Sequence, residues 1–177
     1  MSSVDKIYEA FIEGQNIAAQ ALTQASDIVE ITPKQLRRGH LYAVRLLCRG
    51  LINDGGKIKE HDQFELLVHF PEHFLRRCSP VELICWVSPA TVWHPNIKPP
   101  FLCLGRLTPG MKIVDIVHQA YEIVTYQKVT MVESDALNHD AAVWARANLD
   151  RFPVDTRPLR RRTIEFTLEE IRKGVQE

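Results

Sequence analysis

Trp93-His-Pro-Asn-Ile-Lys-Pro-Pro-Phe-Leu-Cys-Leu-Gly-Arg-Leu107 is the stretch around which the chain is organised. Three prolines, a His, an Asn and one Cys fall within it, after strand-like sequence and before helix-like sequence. Proline fixes φ, removes a backbone donor and pushes the preceding residue toward an extended form. His94-Pro95 and Lys98-Pro99-Pro100 therefore read as stiff, irregular backbone rather than a linker. A thiol carried on such backbone suits group transfer, whereas a cysteine that only packs has no need of it. The remainder of the chain bears on that contrast.

Upstream, Phe64, Leu66, Val68 and Phe70 fall on one side of an alternating run and predict a strand that Pro71 ends. Residues 41–49 alternate likewise, with Tyr42, Val44, Leu46 and Cys48 on one face and Arg45 and Arg49 on the other. Ile28–Thr32 predicts a short strand, and 81–87 a further one with Val81, Leu83, Cys85 and Val87 facing the core. On this phasing Cys48 and Cys85 are packing residues, and Cys78 is a bystander thiol in a polar loop beside Arg76 and Arg77. Asn53-Asp54-Gly55-Gly56 is a turn signal, since glycine accepts positive φ cheaply.

The ends of the chain read as helical. Over residues 4–26, Ile7, Ala10, Phe11, Ile17, Ala18, Ala21 and Leu22 recur at three-four spacing, predicting an amphipathic helix with those side chains on its apolar face. Pro109-Gly110 makes a turn, and Ile113, Ile116, Val117, Ala120, Ile123 and Val124 predict a second helix. Residues 125–137 are irregular. A third helix runs over about 138–147 with Asn138 as N-cap, and Thr167 with Glu170 has capping-box spacing for a short terminal helix. Strands in succession followed by segregated helices argue an α+β fold with an antiparallel meander covered on one face. No repeat or linker divides residues 1–177, so one domain is expected.

Composition narrows the function. The 177 residues carry 22 Lys plus Arg against 22 Asp plus Glu, so no net field draws the chain to nucleic acid or an acidic membrane. Four Arg between Arg157 and Arg162 form the one charge cluster, read as a solvated rim, with docking to an acidic partner as the alternative. No apolar run approaches the roughly 20 residues of a membrane span. The N-terminus lacks a basic stretch followed by an apolar one, so reduced thiols in a cytoplasm are expected. The four cysteines form no C-x-x-C pair, and none stands at ligand spacing from a His, so neither a metal nor another cofactor is expected.

Taken together, the segments resemble the ubiquitin-conjugating enzyme family. His94-Pro95-Asn96 followed by Leu102-Cys103-Leu104 is similar to its His-Pro-Asn and apolar-Cys-Leu signature. Phe64-Glu-Leu-Leu-Val-His-Phe70-Pro71 resembles its third strand. Leu107-Thr-Pro109-Gly-Met-Lys-Ile113 resembles the entry to its second helix, and Ser134-Asp135-Ala136-Leu137 its Asp-Asp-Pro-Leu loop. The match covers about residues 4–150 and leaves 151–177 as a C-terminal extension. It departs from the usual pattern in five places, one being Ser79-Pro80 where the family has a double proline after the third strand. The His94-to-Cys103 spacing is one residue short, Gly105 replaces an acidic residue, Leu107 replaces a Trp, and the first helix is acidic rather than basic.

The resemblance implies a catalytic cysteine that accepts a ubiquitin-like modifier as a thioester from an activating enzyme and passes it to an amine on a protein target. Cys103 is then the nucleophile, because a thiolate attacks near neutral pH without a dedicated base. Asn96 is the oxyanion group, donating its amide directly or pinning the loop. Asp135 would position or partly deprotonate the incoming lysine, and His94 with Pro95 would hold the turn. Compact, divergent members of this kind resemble those of bacterial operons tied to antiviral defence, which also encode a deconjugating metalloprotease. The alternative is a non-catalytic module of the same fold that only holds a modifier or partner. A cysteine hydrolase is weaker, because no His is placed to serve as its base.

Overall fold

The computed structural model describes residues 5–36 and 39–161. The expected terminal helix at Thr167 and the last Arg of the basic cluster, Arg162, lie outside the described residues. The chain is a mixed α+β protein with an N-terminal helix and an antiparallel sheet.

The first helix, α1, spans Lys6–Gln24. Asp5 caps it, its Oδ1 accepting from the N–H groups of Ile7 and Tyr8 at 3.1 and 3.2 Å, which satisfies two donors that the helix itself leaves free. The buried positions are Ile12, Gln15, Ala19 and Leu22, with Tyr8, Phe11 and Ala18 packed against the core. This corrects part of the expected apolar face: Ile7, Ala10, Ile17 and Ala21 are exposed. Two stripes at three-four spacing lie side by side on α1, and periodicity alone does not choose between them. The aromatic residues do. Phe11 meets Phe70 edge-on at 5.3 Å and Phe74 at 5.8 Å, rotating that side of α1 toward the sheet.

The main sheet runs β1 (Val29–Gln35), β2 (His40–Leu46), β5 (Phe64–Phe70) and β6 (Ile84–Ser88), neighbouring in that order and antiparallel throughout. Between β2 and β5 the chain makes a separate hairpin, β3 (Gly50–Asp54) and β4 (Lys57–His61). Its turn is the one expected, Gly55 and Gly56 both having positive φ and Asn53 Oδ1 accepting from Gly56 N–H at 2.7 Å. The strands β3 and β4 escape the sequence reading because Lys-Ile-Lys-Glu-His shows no apolar face. The first strand outruns its expected end by passing through Pro33, which an edge strand tolerates.

Tyr42, Val44, Leu46 and Cys48 are all buried, as are Phe64, Leu66, Val68 and Phe70. The expected phase of 81–87 holds at Leu83 and fails at Val81, Cys85 and Val87. A single helical turn, α2 (Pro80–Leu83), precedes β6 and shifts the alternation by one, so that Ile84 and Trp86 are buried while Val81 and Val87 are exposed. Pro80 at the helix start supplies the reason, since its fixed φ suits the first helical position. Cys85 consequently lies on the outer face, partly exposed, and is not a core residue. On that outer face Arg45 bridges Glu30 at 2.8 Å and Glu65 at 3.1 Å, a ladder of charges in water. Helices lie against the inner face, where α3 (Ile113–Val124) meets α1; Gln15, buried on α1, accepts from Ile113 N–H at 2.8 Å.

Two short strands, β7 (Ile97–Lys98) and β8 (Phe101–Leu102), pair within the central stretch. The last α-helix among the described residues, α4 (His139–Arg146), carries the expected cap, Asn138 Oδ1 accepting from Ala141 N–H at 3.1 Å.

Residues 152–161, beyond the extent of the resemblance, return across the body and bury Val154 and Leu159. Asp155, fully buried, accepts from the N–H groups of Arg49 and Arg157 and from the Arg157 guanidinium, which also donates to Leu47 O. Burial alone would raise this carboxyl. The hydrogen bonds of Arg157 and Arg49 outweigh it and hold the group near 2. Arg157 is exposed, as expected of the cluster, but its guanidinium is also one half of a clasp on Asp155.

Candidate functional site

The β3–β4 hairpin positions the approach to the site. Trp93 N–H donates to Leu51 O and Asn53 N–H to Thr91 O, both at 2.8 Å, so residues 91–93 are stitched along β3. From the other side, Trp86 N–H donates to Pro100 O at 2.8 Å, tying the β7–β8 hairpin to the edge strand β6. Backbone that the prolines leave without internal donors is therefore held by its neighbours.

His94 is buried, and its Nδ1 accepts from Asn96 N–H at 3.0 Å, closing the turn around Pro95. The proton of the neutral ring accordingly sits on Nε2. Burial depresses this imidazole to about 3, against a weaker opposing contact with the Lys128 backbone. Among the described residues no hydrogen bond joins this ring to Cys103; its Nδ1 contact is with the turn. Its ring stands edge-on to Tyr126 at 4.3 Å, and Tyr126 stacks on Phe152 at 4.3 Å while donating from its hydroxyl to Trp93 O. Tyr126 adopts a positive φ of 60°, a conformation that non-glycine residues rarely take.

Asn96 is also buried, and its carboxamide is fully engaged. Oδ1 accepts from Thr130 N–H at 2.9 Å; Nδ2 donates to Thr130 Oγ1 at 2.8 Å and, more weakly, to Cys103 O at 3.4 Å. Its backbone O accepts from Cys103 N–H at 2.9 Å. Of the two roles expected for Asn96, this geometry is that of the pin.

Cys103 is exposed, the one cysteine of the four in that state. Its backbone is held by Asn96 at both the N–H and the carbonyl. The next carbonyl, of Leu104, accepts from Lys128 Nζ at 2.8 Å. Gly105 follows with φ of 94°, a value that side chains resist. A fixed backbone therefore presents a solvent-facing thiol.

Asp135 lies in a 3₁₀ turn, Glu133–Asp135, and is exposed. Its carboxylate accepts from Ser134 Oγ at 3.3 Å, and among the described residues no hydrogen bond joins it to Cys103 or Asn96. Its loop is nonetheless anchored to the central stretch at both ends. Thr130 is held by Asn96, and Asn138 N–H donates to Pro95 O at 3.0 Å. Glu133 is paired with Arg146 at 2.9 Å, leaving Asp135 as the loop's unpaired carboxylate among the described residues.

The structure thus unites Cys103, Asn96, His94 and Pro95 and tethers the loop of Asp135 to them. It adds Thr130, Lys128 and Tyr126, which sequence reasoning missed. All three fall in an irregular segment with no local motif, and Thr130 meets Asn96 from 34 positions away. No group of His, Cys, Asp and Glu among the described residues is placed to hold a metal ion. No helix among them is long and apolar enough to cross a membrane.

No protein-family model, no curated protein and no solved structure matches this chain.

Proposed function

We propose that this chain is a conjugating enzyme of the ubiquitin-conjugating type. It accepts the C-terminus of a ubiquitin-like modifier from an activating enzyme as a thioester on Cys103. The thiol displaces the activating enzyme's thiol, whose sulfur leaves with the proton. An amine of a protein target then attacks the thioester carbonyl, and Cys103 departs as the thiol. The observation that carries this reading is the contrast between an exposed Cys103 and the buried His94–Asn96–Thr130 framework that fixes its backbone. Rigid presentation serves transfer because both attack steps require an aligned sulfur. Asp135, free of ionic partners among the described residues, is the carboxylate that would orient the attacking amine. The arrangement of α1 and the antiparallel sheet with a Cys-bearing stretch after β6 is compatible with the ubiquitin-conjugating fold.

A second reading has its own observation. The Asn96 carboxamide already donates to Thr130 Oγ1 and to Cys103 O, so neither donor is left free for an oxyanion at Cys103. A non-catalytic module that binds a modifier or partner would need none.

Incubation with an activating enzyme, ATP and a ubiquitin-like protein tests the choice. The expected result is an adduct lost on thiol reduction, absent from Cys103→Ala and resistant to reduction in Cys103→Ser. Retained binding of a modifier with no adduct on any variant would instead establish the binding module.

A further inference from the structure

The segment that joins α3 to the loop of Asp135 begins in a turn with an uncommon occupant. Tyr126 N–H donates to Ile123 O at 2.9 Å and Gln127 N–H to Glu122 O at 2.8 Å, the pair of bonds by which a helix end reverses through one left-handed residue. That residue is usually glycine; here it is Tyr126. A side chain in this region of backbone space persists only where its surroundings hold it there. Shortly beyond the turn come Lys128, which donates to Leu104 O, and Thr130, which is gripped by Asn96. Relaxation of Tyr126 to negative φ would swing the chain after it and carry both contacts away from Cys103.

Residues 152–155 meet three successive residues of this turn. Val154 N–H donates to Thr125 O at 2.9 Å, the Phe152 ring stacks on Tyr126 at 4.3 Å, and Gln127 Nε2 donates to Asp155 O at 3.3 Å. The Tyr126 hydroxyl reaches Trp93 O, so this side chain is gripped both from 152–155 and from the central stretch. Residues 152–155 are themselves fastened. Asp155 accepts from Arg49 N–H at 2.8 Å, and the Arg157 carbonyl accepts from the Tyr121 hydroxyl. Leu159 is buried farther along, in the main core. All of 152–155 lies beyond the stretch that resembles the ubiquitin-conjugating family, so this support belongs to the chain's own extension.

We propose that residues 152–155 are a positioning strap for Cys103, with Phe152 as the positioning residue. The strap keeps Tyr126 in its left-handed turn. The turn brings Thr130 to Asn96 and Lys128 to Leu104, and those contacts fix the backbone from Cys103 to Leu104. Phe152 acts through Tyr126 rather than on the reacting atoms. The strap's part in the chemistry rests on the transfer role proposed for Cys103, whose two attack steps need an aligned sulfur.

The test compares Phe152→Ala, Phe152→Tyr and Leu159→Ala in the full chain, by amide hydrogen exchange and by thioester formation. Exchange is read at the Cys103 and Thr130 N–H groups, which donate to Asn96, relative to the Ala120 N–H inside α3, so that a loss of global stability cancels. In Phe152→Ala both ratios should rise about tenfold, the factor that loss of one aromatic contact supports. Phe152→Tyr keeps the stacked ring and should restore the wild-type ratios. Leu159→Ala loosens the far end of the extension without touching the turn and should leave them unchanged. With an activating enzyme, ATP and a ubiquitin-like protein, Phe152→Ala should load Cys103 about tenfold more slowly at saturating activating enzyme with KM unchanged, since misalignment lowers kcat rather than binding. Unchanged ratios in Phe152→Ala, or ratios raised as much by Leu159→Ala, overturn the strap, and so does an undiminished loading rate. If the wild-type chain forms no adduct, the transfer reading fails by itself, and the exchange ratios still decide whether the strap holds the Cys103 backbone.

Discussion

Asn96 grips Thr130 from both ends of its carboxamide, accepting from the Thr130 N–H and donating to its hydroxyl, at 2.9 and 2.8 Å. The same side chain reaches Cys103 O, and its backbone accepts from Cys103 N–H. One buried amide therefore fixes the relation between the thiol-bearing strand end and the loop that leads to Asp135. The consequence is mechanical as well as chemical: loosening Asn96 loosens both.

Asn96→Ala should destabilise the protein by about 1–3 kcal/mol, because it leaves the Thr130 N–H without its partner in a partly buried place. Thr130→Val removes only the hydroxyl acceptor and should cost less, about 1 kcal/mol. Urea unfolding of both variants measures the order. An unchanged midpoint for Asn96→Ala would show that the pin contributes nothing.

The thiols should alkylate in a fixed sequence. Cys103 is exposed and should react first with iodoacetamide; Cys78 and Cys85 are partly buried and should follow. Cys48 should react last, since it is buried and its thiol is pushed up to about 12 by burial, with the Asp155 carboxylate adding to the effect. Peptide mass spectrometry over time reads the sequence directly. Labelling of Cys48 before Cys103 would contradict the burial described above.

Acid should act first through His94. Its folded value of about 3 lies below the unfolded 6.5, so the unfolded chain binds the extra proton. The neutral ring's contribution is complete above pH 6.5 and falls by about 1.4 kcal/mol per pH unit as pH drops toward 3. His94→Gln should flatten this part of the stability profile while lowering its plateau, because a close ring contact with Tyr126 is lost. Denaturant midpoints between pH 7 and 4 check it; parallel profiles for the two proteins would refute it.

Asp155 adds a second, more acidic limb. Held near 2 against an ordinary 3.8, it contributes about 2 kcal/mol above pH 3.8 that is lost as pH falls through 2. Asp155→Asn should remove this dependence and destabilise at neutral pH, since the Arg157 guanidinium loses its anion. The same midpoints, taken between pH 4 and 2, provide the measurement.

Much of this architecture was written locally. The alternation of Tyr42, Val44 and Leu46 and of Phe64 to Phe70 dictates two central strands, because side chains in a strand alternate faces and only one face here is apolar. Asn138 marks the start of α4, an effect of neighbouring residues on one another, whereas the proline-rich stretch, expected to be irregular, contains the paired strands β7 and β8 just before Cys103. Where two local patterns competed, tertiary packing chose. The apolar stripe of α1 that faces the core was selected by Phe11 meeting Phe70 and Phe74, residues about sixty positions away. The phase of β6 was set by the one-turn helix at Pro80, and Cys85 moved outward with it. The exposure of Cys103 and the partners of Asn96 were likewise decided in three dimensions. A hydrogen bond from Asn96 to Thr130 closes a loop of 34 residues, and no local periodicity encodes which distant donor will fill a buried acceptor.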